Sequence, residues 1–394
     1  MNTVRIGIIG IGNMGSAHAL SIYQGKVKNL VLTAVCDIDE SRLEGAKKTF
    51  GKEVSIYSDY HLLIKSGLVD AILIVTPHNL HPYIAMESFR AKLHVLTEKP
   101  AGIDAMHVRK MNEEAKASEK IFAIMYNQRT NPLFARLKEI VDAGELGEMK
   151  RFIWIVSNWY RTQAYYDSAT WRASWNGEGG GVLLNQCPHN LDIWQWITGM
   201  PIRIRSSCKY GHYHSITVED DVTILAEYVG NATAVFITST GEYPGTNRLE
   251  YSGTKGKAVI EDGKLKIYKL DSDEREIRFN SNEGSPSIDI NYEEFAQLEP
   301  ETGHIGILQN FTNAILYGEA LLSPGTEGIK GLTISNAAYM SDWMDRWIDL
   351  PMDEQLFRQM LSEKQSEERD RGIKNTKSSE KFNGEYSDRW KVRW

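Results

Sequence analysis

The chain is poor in cysteine: Cys36, Cys187 and Cys208 are the only three in 394 residues. An odd number of widely separated thiols makes no disulfide framework and points to a reducing compartment. Long apolar runs are missing too, and none approaches the roughly 20 residues that a membrane-spanning helix needs. Nor is there a surplus of positive charge, since 45 Lys and Arg stand against 52 Asp and Glu, a formal net charge of −7. Without a basic stripe or an aromatic-plus-basic module, no nucleic-acid partner is expected. The first strand-like run begins at Val4, which leaves no room for a signal peptide, so the expected location is cytoplasmic. What is present is ordinary globular composition, 42% hydrophobic and 25% charged, in a chain long enough for two domains.

The strongest local signal stands at the start. Val4 to Ile9 reads as a buried strand, Gly10-Ile11-Gly12-Asn13-Met14-Gly15 follows at once, and a helical stretch begins at Ser16. A G-x-G-x-x-G has meaning only between a strand and a helix, and here it has both. Gly10 allows the tight turn, Gly12 leaves room for a pyrophosphate, and Gly15 lets the helix pack on its strand. The first-turn amides around Asn13 and Met14 are placed to bind phosphates. Leu30 to Cys36 makes a second strand that ends in Asp37, 22 residues beyond Gly15. A carboxylate there accepts hydrogen bonds from a ribose and repels a 2′-phosphate, so NAD is favoured over NADP. Arg42, close by in sequence, tempers that preference.

Further strands follow in α/β rhythm. Val69 to Val75 runs into Thr76-Pro77-His78-Asn79-Leu80-His81-Pro82, and His94 to Thr97 runs into Glu98-Lys99-Pro100. Ile121 to Met125 completes the first domain near Tyr126. Strand carboxyl ends line the ligand crevice of an open α/β sheet, so Thr76, Pro77, Asn79, His81, Glu98, Lys99 and Asn127 are cofactor-side candidates, with Arg129 facing substrate. From Met149 onward longer alternating strands imply a large, mainly antiparallel open sheet. The expected division is a dinucleotide-binding domain at 1–126, a substrate-binding and oligomerisation domain at 127–350, and a charged extension at 351–394. From Glu363 the extension reads as a poorly anchored tail that Trp390 and Trp394 could dock on a neighbouring subunit. An open sheet with an apolar face predicts a homodimer or homotetramer.

Two constellations carry chemistry. Lys99 stands at a strand end between Glu98 and Pro100, where an ammonium can stabilise an alkoxide as hydride leaves; the plain alternative is a solvated lysine paired with Glu98. In Gly179-Gly180-Gly181-Val182-Leu183-Leu184-Asn185-Gln186-Cys187-Pro188-His189-Asn190-Leu191-Asp192 the glycines permit close approach to a ligand. Pro188 suits a first helical turn, which puts His189 at the positive end of a helix. That end lowers a histidine's pKa and suits a general base; a core or capping histidine is the alternative. Cys187 reads as a small buried side chain. Six of the ten tryptophans fall within residues 154–196, and aromatic faces with directed donors suit a carbohydrate site. Tyr160, Arg172 and Trp175 are candidates there, with Trp171 and Arg172 also read as cofactor-side residues, although much of the cluster is expected to be core. His212 and His214 share a face if their strand continues that far, yet their spacing matches no closed zinc pattern, so no metal is expected and His214 is read as a substrate-pocket residue.

Gly10 to Gly15, Glu98-Lys99-Pro100 and the Gly-Gly…His189-x-x-Asp192 segment together resemble the glucose–fructose oxidoreductase/inositol dehydrogenase/MocA family, over roughly residues 3 to 350. The resemblance implies an α/β fold, a Rossmann domain coupled to a C-terminal α/β domain whose open sheet often forms oligomer contacts. It implies hydride transfer between NAD(P) and a hydroxyl of a sugar, cyclitol or sugar derivative. The family's catalytic lysine maps onto Lys99, its histidine onto His189, and a position near cofactor and substrate onto Arg172. The aspartate common four residues before the histidine is here Asn185, which cannot share a proton load by charge. The leading expectation is an NAD-dependent dehydrogenase of a secondary hydroxyl, with Lys99, His189 and Asn185 at its centre. Redox-neutral elimination or glycoside cleavage with regenerated NAD, and a non-catalytic NAD-linked sugar-binding protein, are the alternatives.

Overall fold

The computed structural model describes residues 2–169, 171–296 and 302–370; Trp390 and Trp394 lie outside them. Strands β1 (Val4–Ile9), β2 (Leu30–Cys36), β3 (Ser55–Tyr57), β4 (Ala71–Ile74), β5 (His94–Thr97) and β6 (Phe122–Ile124) form one parallel sheet in the order β3-β2-β1-β4-β5-β6. All four residues of β4 are buried, as a strand covered on both faces requires. The chain starts in the middle of the sheet, builds outward to β3, then returns beside β1 to build the other half. The loops after β1 and β4 therefore meet at the reversal of strand order, where such sheets bind ligands.

Two glycines of the first loop are obligatory. Gly10 has φ +92°, and a Cβ there would sit 2.5 Å from the Val75 carbonyl oxygen. A Cβ on Gly15 would come within 1.8 Å of the Gly10 carbonyl oxygen. The fingerprint thus holds the loop closed on itself and against β4, and this is a Rossmann fold.

The second sheet has nine strands: β7 (Met149–Val156), β8 (Arg203–Tyr210), β9 (Glu219–Glu227), β10 (Thr233–Ser239), β11 (Asn247–Gly253), β12 (Gly256–Glu261), β13 (Lys264–Leu270), β14 (Ile290–Ala296) and β15 (Ile348–Asp349), in the order β14-β13-β12-β11-β7-β10-β9-β8-β15. Every pairing is antiparallel except β7 with β10. The period of two gives the sheet unlike faces. Leu249, Trp154, Phe236 and Ile224 stand in register on the buried face. Trp194, from the helix Pro188–Thr198, stacks on Phe236 and Phe152 at 5.6 and 6.0 Å. On the other face Ile153, Ile155, Val235 and Ile237 are half-buried and Leu225 is exposed.

The chain end differs from its sequence expectation. Glu354–Asp370 is one helix, and Phe357 and Leu361, four residues apart, are buried within an otherwise charged stretch. Glu368 is buried and accepts hydrogen bonds from the backbone amides of Trp175 and Asn176 (3.0 and 2.9 Å) and from the Thr217 hydroxyl (2.6 Å). The tail reading is corrected as far as residue 370: two apolar contacts and one satisfied carboxylate anchor what composition alone marks as solvated. Among the described residues no helix is long and apolar enough to cross a membrane.

Candidate active site

The dinucleotide side is built by the loops after β1, β2 and β4. The helix Asn13–Tyr23 starts at Gly12 with no side-chain cap and no acidic residue in its first turn, so the amides there are available to an anion. Asp37 is buried and accepts hydrogen bonds from the amides of Ile11 (2.8 Å) and Asp39 (2.9 Å). Its carboxylate is thereby fixed beside the glycine loop, with Arg42 Nη1 3.3 Å away. The ring nitrogens of His81 face the carbonyl oxygens of Thr76 (2.7 Å) and Pro100 (2.8 Å). This buried imidazole staples the loops after β4 and β5 together, so its contribution to a cofactor site is to position them. Pro77 and Asn79 are half-buried in the first of these loops. Thr76 Oγ1 and Asn127 Oδ1 are buried with no partner among the described residues. Orphaned polar atoms at the strand ends, a closed glycine turn and a fixed carboxylate together fit NAD.

Glu98 and Lys99 face different ways from the end of β5. Glu98 accepts a hydrogen bond from His18 Nε2 at 2.8 Å. Burial alone would raise its pKa, but the His18 hydrogen bond and the charges of His18, His304 and Lys99 together outweigh that and hold it at about 2. Lys99 Nζ crosses to the second domain and donates to the backbone carbonyl of Asn185 at 2.9 Å. Burial lowers the Lys99 pKa, while Glu98 and Glu178 oppose the shift.

The glycine-rich segment brings the other partners. Its three glycines are explained by the protein itself rather than by a ligand. A Cβ on Gly179 would meet Ile103 at 2.5 Å, on Gly180 the Tyr339 hydroxyl at 2.1 Å, and on Gly181 the Glu219 carbonyl at 1.9 Å. Buried Glu219 then fixes the loop by accepting from the amides of Gly181 (2.8 Å) and Leu183 (3.0 Å). Pro188 opens the helix Pro188–Thr198, with His189 in its first turn and Nδ1 buried without a partner among the described residues. The His189 pKa is driven well below its ordinary value. The direction is that expected from the helix end, but the main cause is burial, followed by the charge of Lys99. Cys187 is buried against the Thr238 hydroxyl at 3.0 Å, and burial pushes its thiol up to about 12.

A carboxylate absent from the sequence candidates sits beside Asn185. Glu178 is buried, accepts from the Ala173 amide at 2.7 Å, and takes a short hydrogen bond from the Asn185 side-chain amide. It is the only Asp or Glu between Arg172 and Asp192, and this was the available signal. Arg172 Nη1 lies 4.0 Å from the Glu178 carboxylate and donates to the Tyr165 hydroxyl at 2.9 Å, and Tyr165 donates to Asn185 Oδ1 at 3.4 Å. The Arg172 guanidinium lies over the rings of Tyr165 and Trp171 (4.6 and 4.8 Å).

Other candidates stand elsewhere or have other tasks. Arg129 is buried and makes a two-pronged pair with Asp192 (2.8 and 2.7 Å), while Nη1 reaches Glu327 and the Leu322 carbonyl. Its donors are committed, so the geometry gives it a structural role in place of the expected substrate contact, and Asp192 is no partner for His189. Trp175 packs among Tyr210, Tyr339 and Trp343 and donates Nε1 to the Thr217 carbonyl, which makes it core rather than pocket. Tyr160 is exposed beside Tyr243. β8 ends at Tyr210, so His212 and His214 share no strand face. His214 has both ring nitrogens 2.9 Å from oxygens, of Asp220 and of the Arg161 carbonyl, and serves as a cross-link instead of a substrate contact. Among the described residues no three His, Cys, Asp or Glu gather as a metal site.

Two sequence profiles match the chain in tandem: "Oxidoreductase family, NAD-binding Rossmann fold" over residues 4–126 and "GFO/IDH/MocA C-terminal domain" over 134–259. The myo-inositol 2-dehydrogenase of Thermotoga maritima is 28% identical over 264 residues, 64% of this chain and 74% of that protein. The rhizopine catabolism protein MocA of Rhizobium meliloti is 30% identical over 200 residues, 50% of this chain and 58% of that one. The match to the inositol 2-dehydrogenase of Salmonella typhimurium spans only 44% of its length and 37% of this chain, at 32% identity. Among solved structures, the WlbA dehydrogenase of Bordetella pertussis, in complex with NADH and UDP-GlcNAcA, shares the fold at TM-score 0.74 and 23% identity, covering 89% of this chain and 100% of that one. A levoglucosan dehydrogenase complexed with NADH and levoglucosan does so at TM-score 0.74 and 19% identity, with the same coverage. The chain belongs to the Gfo/Idh/MocA family of NAD-binding oxidoreductases.

Proposed function

We propose that this protein oxidises one secondary hydroxyl of a sugar, glycoside or cyclitol with NAD as acceptor. One observation carries the reading: Lys99 Nζ, at the end of a strand beside the dinucleotide loops, reaches the Asn185 carbonyl four residues before a histidine whose Nδ1 has no partner among the described residues. In the reaction the alcohol loses a hydride and a proton, giving a ketone, NADH and H⁺. NAD supplies the hydride acceptor when bound. Lys99 hydrogen-bonds the reacting oxygen and stabilises its alkoxide character. His189 takes the hydroxyl proton, a role that needs the neutral ring its depressed pKa provides. Tyr165, Trp171 and Arg172 offer ring faces and donors to a polyhydroxylated ligand. The named relatives act on or hold inositols, levoglucosan or a UDP-linked sugar acid, which supports this substrate class.

The division of labour follows the same lines, with residues 1–126 holding NAD and 127–350 supplying substrate contacts. The half-exposed Ile153, Ile155, Val235 and Ile237 support a homodimer or homotetramer built on that face. The test is NADH formation across a panel of pyranoses, glycosides and cyclitols. Steady accumulation with one stereochemical class is expected. Tight NAD binding with no turnover on any of them overturns the reading, and aglycone release without net NADH replaces it with redox-neutral cleavage.

A further inference from the structure

The catalytic cluster holds two cations close together, Lys99 and Arg172, and at position 185 an amide that cannot balance them. Glu178 is buried 4.0 Å from Arg172, and with Glu98 it is one of the two carboxylates whose charge favours the Lys99 cation. It is 1% exposed, so it touches no substrate, yet its Oε1 is the acceptor of the Asn185 side-chain amide. Asn185 is in turn the residue whose backbone carbonyl receives Lys99 Nζ. The groups facing Glu178 come from each neighbouring element: Lys99 from the end of β5, Arg172 and the Ala173 amide from the preceding turn, Asn185 from the glycine-rich segment, and the His78 ring, 3.2 Å from the Glu178 backbone carbonyl, from the loop after β4. Tyr166 also feels its charge.

We propose that Glu178 is the positioning residue that adds a titratable negative charge to this cluster beside the standing charge of Glu98: through Asn185 and Arg172 it helps keep Lys99 cationic and aimed at the substrate oxygen. This rests on the dehydrogenase reading above. Where the resemblance puts an aspartate, position 185 is an amide, and the carboxylate stands one hydrogen bond further from the reacting atoms. Burial raises the Glu178 pKa to about 7, against the opposing pull of Arg172, the Ala173 amide, Asn185 and Lys99. The charge therefore comes and goes in the physiological range. Above about pH 7 Glu178 is ionised and supports Lys99; below it the carboxyl is neutral and that support is lost. His189, neutral until far lower pH, contributes no competing acid limb there.

The test compares wild type, E178Q, N185D and E178Q/N185D as full-length protein with NAD and the best substrate of the panel. Wild-type kcat is expected to fall below about pH 7. E178Q should lose about tenfold or more in kcat at pH 8 with little change in KM, and its acid limb should vanish. E178Q/N185D, which exchanges carboxylate and amide, should recover most of the rate and an acid limb. N185D alone puts two carboxyls in contact and should move the limb to higher pH. A merely structural role would reduce the E178Q and double-variant rates alike and leave the limb where it was, and that result overturns the proposal. Infrared titration of the carboxyl in NAD-loaded protein supplies a readout that needs no turnover. Burial also raises Glu219 to about 7, so the readout is the difference between variants: one of the carboxyl components titrating near pH 7 should disappear in E178Q and titrate at higher pH in K99M, whose lost cation no longer favours the Glu178 anion, while the Glu219 component stays. No such shift in K99M refutes the Glu178–Lys99 coupling; no NADH from wild type on any substrate refutes the dehydrogenase reading and leaves the infrared result to judge the coupling.

Discussion

Arg129→Ala separates two accounts of one residue by a wide margin. As a substrate contact, Arg129 would raise KM when removed and leave the fold intact. As the geometry has it, the guanidinium and the Asp192 carboxylate are 2% and 1% exposed and joined by two hydrogen bonds, with Glu327 as a further partner. Removing one partner leaves Asp192 buried without its cation, and breaking such a pair costs about 3–5 kcal/mol. Part of that is recoverable by protonation, which fixes a pH signature. Burial already raises the Asp192 pKa against the pull of Arg129, and without Arg129 it must rise further. A carboxyl whose folded pKa exceeds its unfolded value favours the folded state at low pH and loses that contribution as pH rises through the folded value. The deficit of R129A should thus be largest at pH 8 and shrink toward pH 5, while R129A/D192N should regain part of it at pH 8. Urea unfolding at both values measures this. A deficit under about 1 kcal/mol that is equal at the two pH values, with an elevated KM, would refute the structural assignment.

Asp37→Ser should shrink the preference for NAD over NADP by about tenfold to a hundredfold in Kd, because the repulsive carboxylate goes while Arg42, now 3.3 Å from it, stays to meet the added phosphate; equal affinities in wild type, unchanged by the substitution, would remove Asp37 as discriminator. Glu368→Ala should cost about 2–4 kcal/mol in unfolding experiments, since it orphans the amides of Trp175 and Asn176, and should raise the substrate KM through the adjoining Arg172–Glu178 turn. An unchanged KM would show that the C-terminal helix supports the fold without shaping the site. Light scattering should give a multiple of 44.7 kDa at micromolar concentration, and Leu225→Glu with Ile237→Glu should reduce it to the single chain.

Much of this arrangement was legible in residue order because its determinants are local. The strand, glycine turn and helix at the start, the acid ending β2, and the lysine after β5 each follow from neighbours in sequence. Pro188 marked the helix that presents His189, although burial rather than the helix end dominates its pKa. What could not be read depends on distant partners. Arg129 and Asp192 are 63 residues apart, and an arginine just after a Rossmann strand looks the same whether it faces a ligand or a buried carboxylate. The glycines at 179–181 looked like a ligand approach because the atoms they actually clear, on Ile103, Tyr339 and Glu219, come from three remote segments. The helix Glu354–Asp370 was masked by its charged surface, since only Phe357 and Leu361 of its apolar residues are buried. Glu178 was hidden by a different effect. Its meaning comes from the amide at 185, and the pair becomes visible only once the loop is folded back on itself.

The central claim is that hydride leaves a substrate carbon held by Lys99 and His189, and a single-turnover isotope experiment meets it directly. Substrate deuterated at the reacting carbinol carbon, mixed with excess enzyme and NAD, should give deuterated NADH, one label per ketone formed, in wild type. K99M should slow that transfer by about a hundredfold or more at unchanged NAD affinity. Label retained on carbon while product forms, or transfer in K99M at the wild-type rate, would contradict the account.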